Sequence, residues 1–233
     1  MMKLTVYPPG FGEISGSPFA TKAICLMQMS GQPYELDVQP DPRKSPKKKW
    51  PVVQDGAKII PDSDQIRDHL ETVYGVDFDA GLSAQQRAVS RMVIRTFEEN
   101  VYFAILASRW MNDDNWALVK GEFFQGMPPV IGGFIANMVR KGVVKQCVGQ
   151  GMGRHSEEEQ VARVRKDIDA FATLLGDKAF VHGDTPTSAD ISVVPMLRAM
   201  ASFPKRNALG DLVVNNPILM AYIERGKAEM YPS

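Results

Sequence analysis

Three groups of residues in the first third of the chain have the types and spacing to hold an anionic, peptide-like ligand. Ser17-Pro18 opens a predicted helix over 18–30, with Ser17 at the N-cap and Pro18 at N1, where a missing N–H costs nothing. The N-terminus of a helix presents unpaired N–H groups and the positive end of its dipole, and so favours an anion. A thiolate is such an anion. A free thiol with a pKa near 8.5 is only about 3% ionised at pH 7, and a helix N-terminus with a hydroxyl donor lowers that pKa by roughly one to two pH units. Trp50-Pro51 precedes a predicted strand, and the proline leaves the backbone of Trp50 free to pair with an extended peptide; a cis bond is predicted at Pro51. Asp62-Ser63 opens a further helix and offers N–H groups and a hydroxyl to a second anion such as a carboxylate. Taken singly, Ser17, Asp62 and Ser63 are ordinary capping residues. Their order within one small unit is what points to a site.

The elements that must position these groups are readable from local pattern. Lys3 to Tyr7 reads as a strand, Gly31 ends the first helix, and Tyr34 to Val38 is a second strand of alternating character. Val52–Gln54 and Lys58–Ile60, separated by Asp55-Gly56, form a hairpin signal, and the helix from Asp62-Ser63 runs to about Tyr74 before Gly75. The order β, α, β, loop, β, β, α describes a small α/β unit. From about residue 83 helical periodicity takes over, with Val89, Val93, Phe97, Val101 and Ile105 recurring at steps of four. Further helices are predicted near 114–124, 129–150, 156–176, 188–201 and 216–228. A capping box at Thr187 has Asp190 reaching back to the Thr187 N–H. The predicted division is an α/β domain over 1–76 and an all-α domain over 83–233.

Composition excludes several classes of function. The 233 residues hold 27 Lys plus Arg and 27 Asp plus Glu, so the net charge is zero and a general nucleic-acid binder is not expected. The 44% hydrophobic content supplies a core without disulfides or structural metal. Cys25 and Cys147 lie far apart, and His69, His155 and His182 show no ligand spacing, so no metal is expected and a reducing compartment fits. No signal peptide is read in the first residues. The longest apolar stretch, Met127 to Val139, is broken by Pro and Gly and falls short of a bilayer span. A soluble, cytoplasmic protein without stable membrane insertion is expected.

The run Ser17-Pro-Phe-Ala-Thr-Lys22, then Gly31-Gln-Pro-Tyr-Glu35, Lys49-Trp-Pro-Val-Val53, Asp55-Gly56 and Pro61-Asp-Ser-Asp-Gln-Ile66 resembles the thioredoxin-like N-terminal domain of glutathione S-transferases. Gly183-Asp-Thr-Pro-Thr-Ser-Ala-Asp190 resembles the capping-box segment of their all-helical C-terminal domain. Gln150-Gly-Met-Gly-Arg-His-Ser156 and Lys178-Ala-Phe-Val-His-Gly-Asp184 resemble the branch that contains the failed-axon-connections proteins and metaxins. The resemblance implies glutathione as co-substrate, a small hydrophobic electrophile as its acceptor, a detoxification role and a homodimer. It implies that Ser17 donates to the cysteinyl sulfur, that the Trp50 backbone pairs with the cysteinyl amide beside cis-Pro51, and that Asp62 and Ser63 hold the γ-glutamyl end. It further implies that Lys48 or Lys49 meets the glycyl carboxylate.

Departures from the family pattern bear on the chemistry. Relatives that exchange thiols and disulfides carry Cys where Ser17 stands, which counts against a glutathione-dependent reductase or peroxidase. Tyr7, at the end of the first strand, is the rival for Ser17 as the hydroxyl that activates the thiol. The loop from Pro8 to Gly16 is longer than in ordinary transferases and is placed to cover the site. A non-catalytic, metaxin-like adaptor is the other alternative, although no anchor helix is read after residue 228. Arg154 and His155 have a structural reading and a cleft reading. Phe97, Tyr102, Trp110 and Trp116 are candidates for the electrophile pocket, and Arg87, Arg91 and Arg95 are read as a solvated face with Glu98 and Glu99.

Overall fold

The computed structural model describes residues 1–125 and 128–232. Met127, the first residue of the apolar stretch noted above, lies outside them. Four strands make one mixed sheet: β1 (Met2–Val6), β2 (Tyr34–Val38), β3 (Val52–Asp55) and β4 (Lys58–Pro61), in the order β2-β1-β3-β4. β1 lies inside because Met2, Leu4 and Val6 alternate into the core. It pairs parallel with β2, with Leu4 opposite Leu36, and antiparallel with β3, with Leu4 opposite Val53. A parallel pair needs a crossover, and α1 (Pro18–Ser30) supplies it before Gly31, in the left-handed region at φ 66, turns the chain into β2. Asp55 and Lys58 close the β3–β4 hairpin, and α2 (Ser63–Tyr74) follows directly.

The rest of the chain is helical: α3 (Ala84–Arg95), α4 (Tyr102–Trp110), α5 (Asp113–Phe123), α6 (Pro129–Gln150), α7 (Glu157–Leu175), α8 (Ser188–Ala201), α9 (Ala208–Val214) and α10 (Pro217–Met230). The run expected from period-four spacing is continuous from α3 to α4, but residues 96–101 between them are π-helical. The wider turn shifts the buried stripe by about one residue. Before the turn Val93 is only half-buried, whereas Ile94, Phe97 and Glu98 are buried. The reading of Glu98 as part of a solvated face is corrected, because Glu98 is 4% exposed.

α8 is the hub, with all but two of its residues buried between α1, α3 and α10. The expected capping box stands at its start. Asp190, 0% exposed, accepts from the Thr187 N–H at 2.8 Å and also from the Val181 N–H and the Tyr222 hydroxyl. Leu4 and Ile24 of the first half and Val194 and Tyr222 of the second belong to one hydrophobic core. α1 is thus enclosed by the sheet on one side and α8 and α10 on the other, and its Ala20 to Met27 are all buried. Lys22 is the single charge in that run.

Candidate functional site

The N-terminus of α1 is built from the two ends of a loop. Ser15 Oγ donates to the Tyr7 carbonyl at 3.0 Å and accepts from the Ser17 N–H at 3.5 Å, which draws the start of the helix against the end of β1. Ser17 sits at the N-cap with extended backbone, as expected, but its side chain makes no capping bond. The ordinary reading of this serine as a cap is corrected: its half-buried hydroxyl is not taken up by its own helix. Pro18 follows at N1, and Phe19 packs edge-on against Tyr102 with ring centroids 4.7 Å apart.

Tyr7 lies beside the second feature. Burial raises its phenol pKa and outweighs the opposing influence of the nearby Trp50 backbone, so the net direction is up. Tyr7 is therefore a neutral donor at pH 7. The Trp50-Pro51 bond is cis, as expected from the sequence. The Pro51 carbonyl accepts from the Asp62 N–H at 3.2 Å, which ties the second feature to the third. The Trp50 indole Nε1 is buried without a hydrogen-bond partner among the described residues.

Asp62 caps α2 by accepting from the Asp64 N–H at 3.0 Å, and it does so at φ 85. A non-glycine residue in that region is strained, and such strain concentrates at ligand clamps. Ser63 beside it is buried. Lys47 approaches Asp62 at 3.7 Å, and Lys49 crosses to the helical half, where its Nζ donates to Gln146 Oε1 at 3.2 Å. Ser17, Tyr7, Trp50, Pro51, Asp62 and Ser63 thus belong to one connected edge of the sheet and its helix starts, with Lys49 at the rim.

Beneath this edge lies a cluster that sequence reasoning missed. Lys22 Nζ stands 2.6 Å from Asp64 Oδ1 and 2.6 Å from Glu98 Oε1, and the Ser192 hydroxyl donates to the same Glu98 oxygen at 2.5 Å. Burial raises the Asp64 carboxyl, but Lys22, Arg95 and Arg91 outweigh it and hold the pKa below the usual carboxylate value. The network joins α1 and α2 to the π-helical turn and α8. A lysine inside an otherwise apolar helix was the available signal.

The Pro8–Gly16 loop is anchored on the helical half. Glu13 accepts from Arg198 Nε at 2.7 Å and from the Tyr231 hydroxyl at 3.0 Å. The Phe11 N–H donates to Glu122 at 2.8 Å, and its ring packs on Phe123 and Phe203. Ser17 and Tyr7 both keep some exposed surface beside it. Of the four aromatic pocket candidates, Phe97 and Trp116 are buried core residues, while Tyr102 and Trp110 stay partly exposed. Arg154 and His155 serve the turn between α6 and α7: Arg154 Nε donates to the Val148 carbonyl at 2.8 Å, and the His155 carbonyl accepts from Gln160 at 3.0 Å. Gly153 is required there because a Cβ would come 2.9 Å from the backbone of Cys147 and Val148. Cys25 and Cys147 are buried, and burial pushes the Cys147 thiol up to about 11 and the Cys25 thiol further.

Comparison with known proteins gives this geometry a setting. Residues 18–115 match a model described as glutathione S-transferase N-terminal domain, and residues 154–225 one described as glutathione S-transferase, C-terminal domain. Most of α5 and all of α6 lie between the two matched segments. The chain is 33% identical to an isoprene-epoxide–glutathione S-transferase from Rhodococcus, over 97% of each chain. It is 26% identical to Failed axon connections of Drosophila melanogaster, over 93% of this chain and 54% of that one. Among solved structures it is similar to a glutathione S-transferase from Methylobacterium radiotolerans in complex with glutathione sulfonate, at TM-score 0.64, 18% identity and coverage of 100% and 95%. A Sphingobium beta-etherase gives TM-score 0.67 at 18% identity, with coverage of 97% and 95%. These likenesses show the fold, a thioredoxin-like sheet unit followed by a helical domain. Among the described residues no helix is long and apolar enough to cross a membrane, and no cluster of three or more His, Cys, Asp or Glu is arranged to hold a metal.

Proposed function

As the chain belongs to the glutathione S-transferase family, we propose that it binds glutathione at the start of α1 and transfers its sulfur to a small apolar electrophile. The observation that carries this reading is the Ser17 hydroxyl, placed at a helix N-terminus and not used by the helix. Ser17 donates to the sulfur and, with the helix dipole, stabilises the thiolate. The backbone of Trp50 beside cis-Pro51 aligns the peptide, Asp62 and Ser63 hold the γ-glutamyl end, and Lys49 meets the glycyl carboxylate. Tyr7, neutral and next to Trp50, is the second hydroxyl of the site. The cytoplasm, a homodimer and the division into domains over 1–76 and 83–233 belong to the same proposal.

The Rhodococcus relative is named for an epoxide of isoprene, which makes small alkyl epoxides the first electrophiles to try. The thiolate attacks a ring carbon, a C–S bond forms as a C–O bond breaks, and the resulting alkoxide takes a proton from water or a neutral phenol. Orientation within the cleft supplies the remaining acceleration. Calorimetric titration with glutathione, followed by mass spectrometry of reactions with short-chain epoxides, tests the reading. Binding at millimolar glutathione or tighter and a one-to-one thioether product are expected. No binding at that concentration contradicts it and leaves the adaptor alternative.

A further inference from the structure

We infer that Lys58 is a preferred acylation site, an exposed amine set against its own base, His69, and taking its acyl group from a thioester. The inference does not depend on the glutathione-binding reading above. Asp55 and Lys58 face each other where the β3–β4 hairpin closes, and His69 of α2 reaches both. Lys58 Nζ stands 3.3 Å from His69 Nδ1, and His69 Nε2 stands 2.8 Å from Asp55 Oδ2. The Tyr74 hydroxyl donates to the same Asp55 oxygen at 2.8 Å, and its ring meets the imidazole edge-on. An amine, a base and a carboxylate that orients the base thus stand in sequence, the arrangement by which a weak nucleophile is activated.

The partners fix the tautomer of the imidazole. A lysine ammonium only donates, so Nδ1 accepts from Lys58; an ionised carboxylate only accepts, so Nε2 carries the hydrogen. Asp55 is ionised at pH 7, because the bonds from His69 and Tyr74 hold its carboxyl below the usual carboxylate value. The Nδ1 lone pair is therefore aimed at the lysine nitrogen. His69 is 6% exposed and so held in place, whereas Lys58 is exposed and open to a dissolved reagent. Among the described residues the one polar partner of its amine is His69.

The chemistry follows from that geometry. The neutral amine attacks the thioester carbonyl carbon, a C–N bond forms, and the intermediate carries a positive nitrogen and a negative oxygen. His69 Nδ1 removes one proton from the nitrogen, and Asp55 stabilises the imidazolium that results. Until that proton is gone the nitrogen can leave again as the neutral amine, so its removal commits the intermediate to losing sulfur. The carbonyl re-forms as the C–S bond breaks, the thiolate departs with the electron pair, and His69 returns the proton to it. The products are an N-acyl lysine and a free thiol. An acyl phosphate expels its better leaving group without such help, so thioesters are the donors for which the base matters.

The test is site-resolved mass spectrometry of the full chain during acetylation by the acetyl thioester of N-acetylcysteamine at pH ~8, which gives a rate for each lysine. Lys44 and Lys141, both exposed, serve as internal standards. In the wild-type protein Lys58 should react at least about tenfold faster than either. His69→Gln keeps an acceptor near the amine but removes the base, and should bring Lys58 to within about twofold of the standards. Asp55→Asn presents an amide N–H that favours the opposite tautomer, and should slow Lys58 by about fivefold or more. Both variants are checked for cooperative unfolding, and Asp55→Asn decides if His69→Gln does not fold. A wild-type Lys58 no faster than the standards overturns the inference, and so does an undiminished Lys58 rate in a folded variant.

Discussion

Lys22→Met should destabilise the protein by about 3–5 kcal/mol in denaturant unfolding, the loss expected when one partner of a buried ion pair is removed. The Lys22 side chain is 2% exposed and Glu98 is 4% exposed, so the substitution leaves Glu98 buried with the Ser192 hydroxyl and the longer, half-exposed ion pair to Arg95 at 3.6 Å. Asp64 suffers less because it is about a third exposed and keeps Arg91 and Arg95 nearby. The double variant Lys22→Met/Glu98→Gln should recover a large part of the loss, since it removes the stranded charge rather than only its partner. A loss below about 1 kcal/mol for the single variant would show that the pair is not buried in solution. The pH dependence has a defined sign. Asp64 has a folded pKa below its unfolded value of about 3.9, so its contribution is present above pH ~4 and fades as pH falls through the folded value. Lys22→Met should flatten that acid limb. Because Asp64 adjoins Ser63, the variant should also raise KM for glutathione more than it lowers kcat.

Ser17→Ala should lower kcat/KM by about 10- to 25-fold at pH 7, and the deficit should shrink toward pH 9. The size follows from the thiolate fraction: lowering a thiol from about 8.5 to about 6.5 raises that fraction roughly 25-fold at pH 7 and much less once the free thiol ionises unaided. Tyr7→Phe should cost about threefold or less. Stability separates this role from capping. Losing a bonded N-cap typically costs about 1 kcal/mol, whereas Ser17 makes no capping bond and its alanine variant should unfold within about 0.5 kcal/mol of wild type. Full activity in Ser17→Ala together with a large loss in Tyr7→Phe would transfer the role to the phenol.

Local chemistry made much of this architecture legible before any coordinates. Pro18 and Gly31 bound α1 because one tolerates a missing donor and the other the left-handed turn, and Asp55-Gly56 closes the hairpin between β3 and β4 for the same kind of reason. The Thr187–Asp190 box marks the start of α8. Two elements escaped. α9 is only seven residues long, too short for a helical period to rise above chance, although Asn207 caps it by accepting from the Gly210 N–H. The π-helical turn leaves no compositional mark, and the burial of Glu98 within it is hidden because an acid among arginines spaced by four reads as part of a solvated face.

The candidate site divided along the same line. Ser17, Trp50-Pro51 and Asp62-Ser63 are each recognisable from a helix start or a strand entry, whereas their supports depend on pairings across 42 residues for Lys22–Asp64 and 76 for Lys22–Glu98. No sequence window spans such pairs.

Central to the proposed chemistry is activation of the glutathione sulfur at the start of α1 through the Ser17 hydroxyl. The most direct measurement is the pH titration of bound glutathione by its ultraviolet thiolate absorbance, with wild-type protein and Ser17→Ala side by side. A bound thiol ionising one to two pH units below the free value of about 8.5, with most of that lowering lost in the variant, is the predicted result. A bound thiol that titrates at its free value in the wild-type protein, or identically in both proteins, would contradict it.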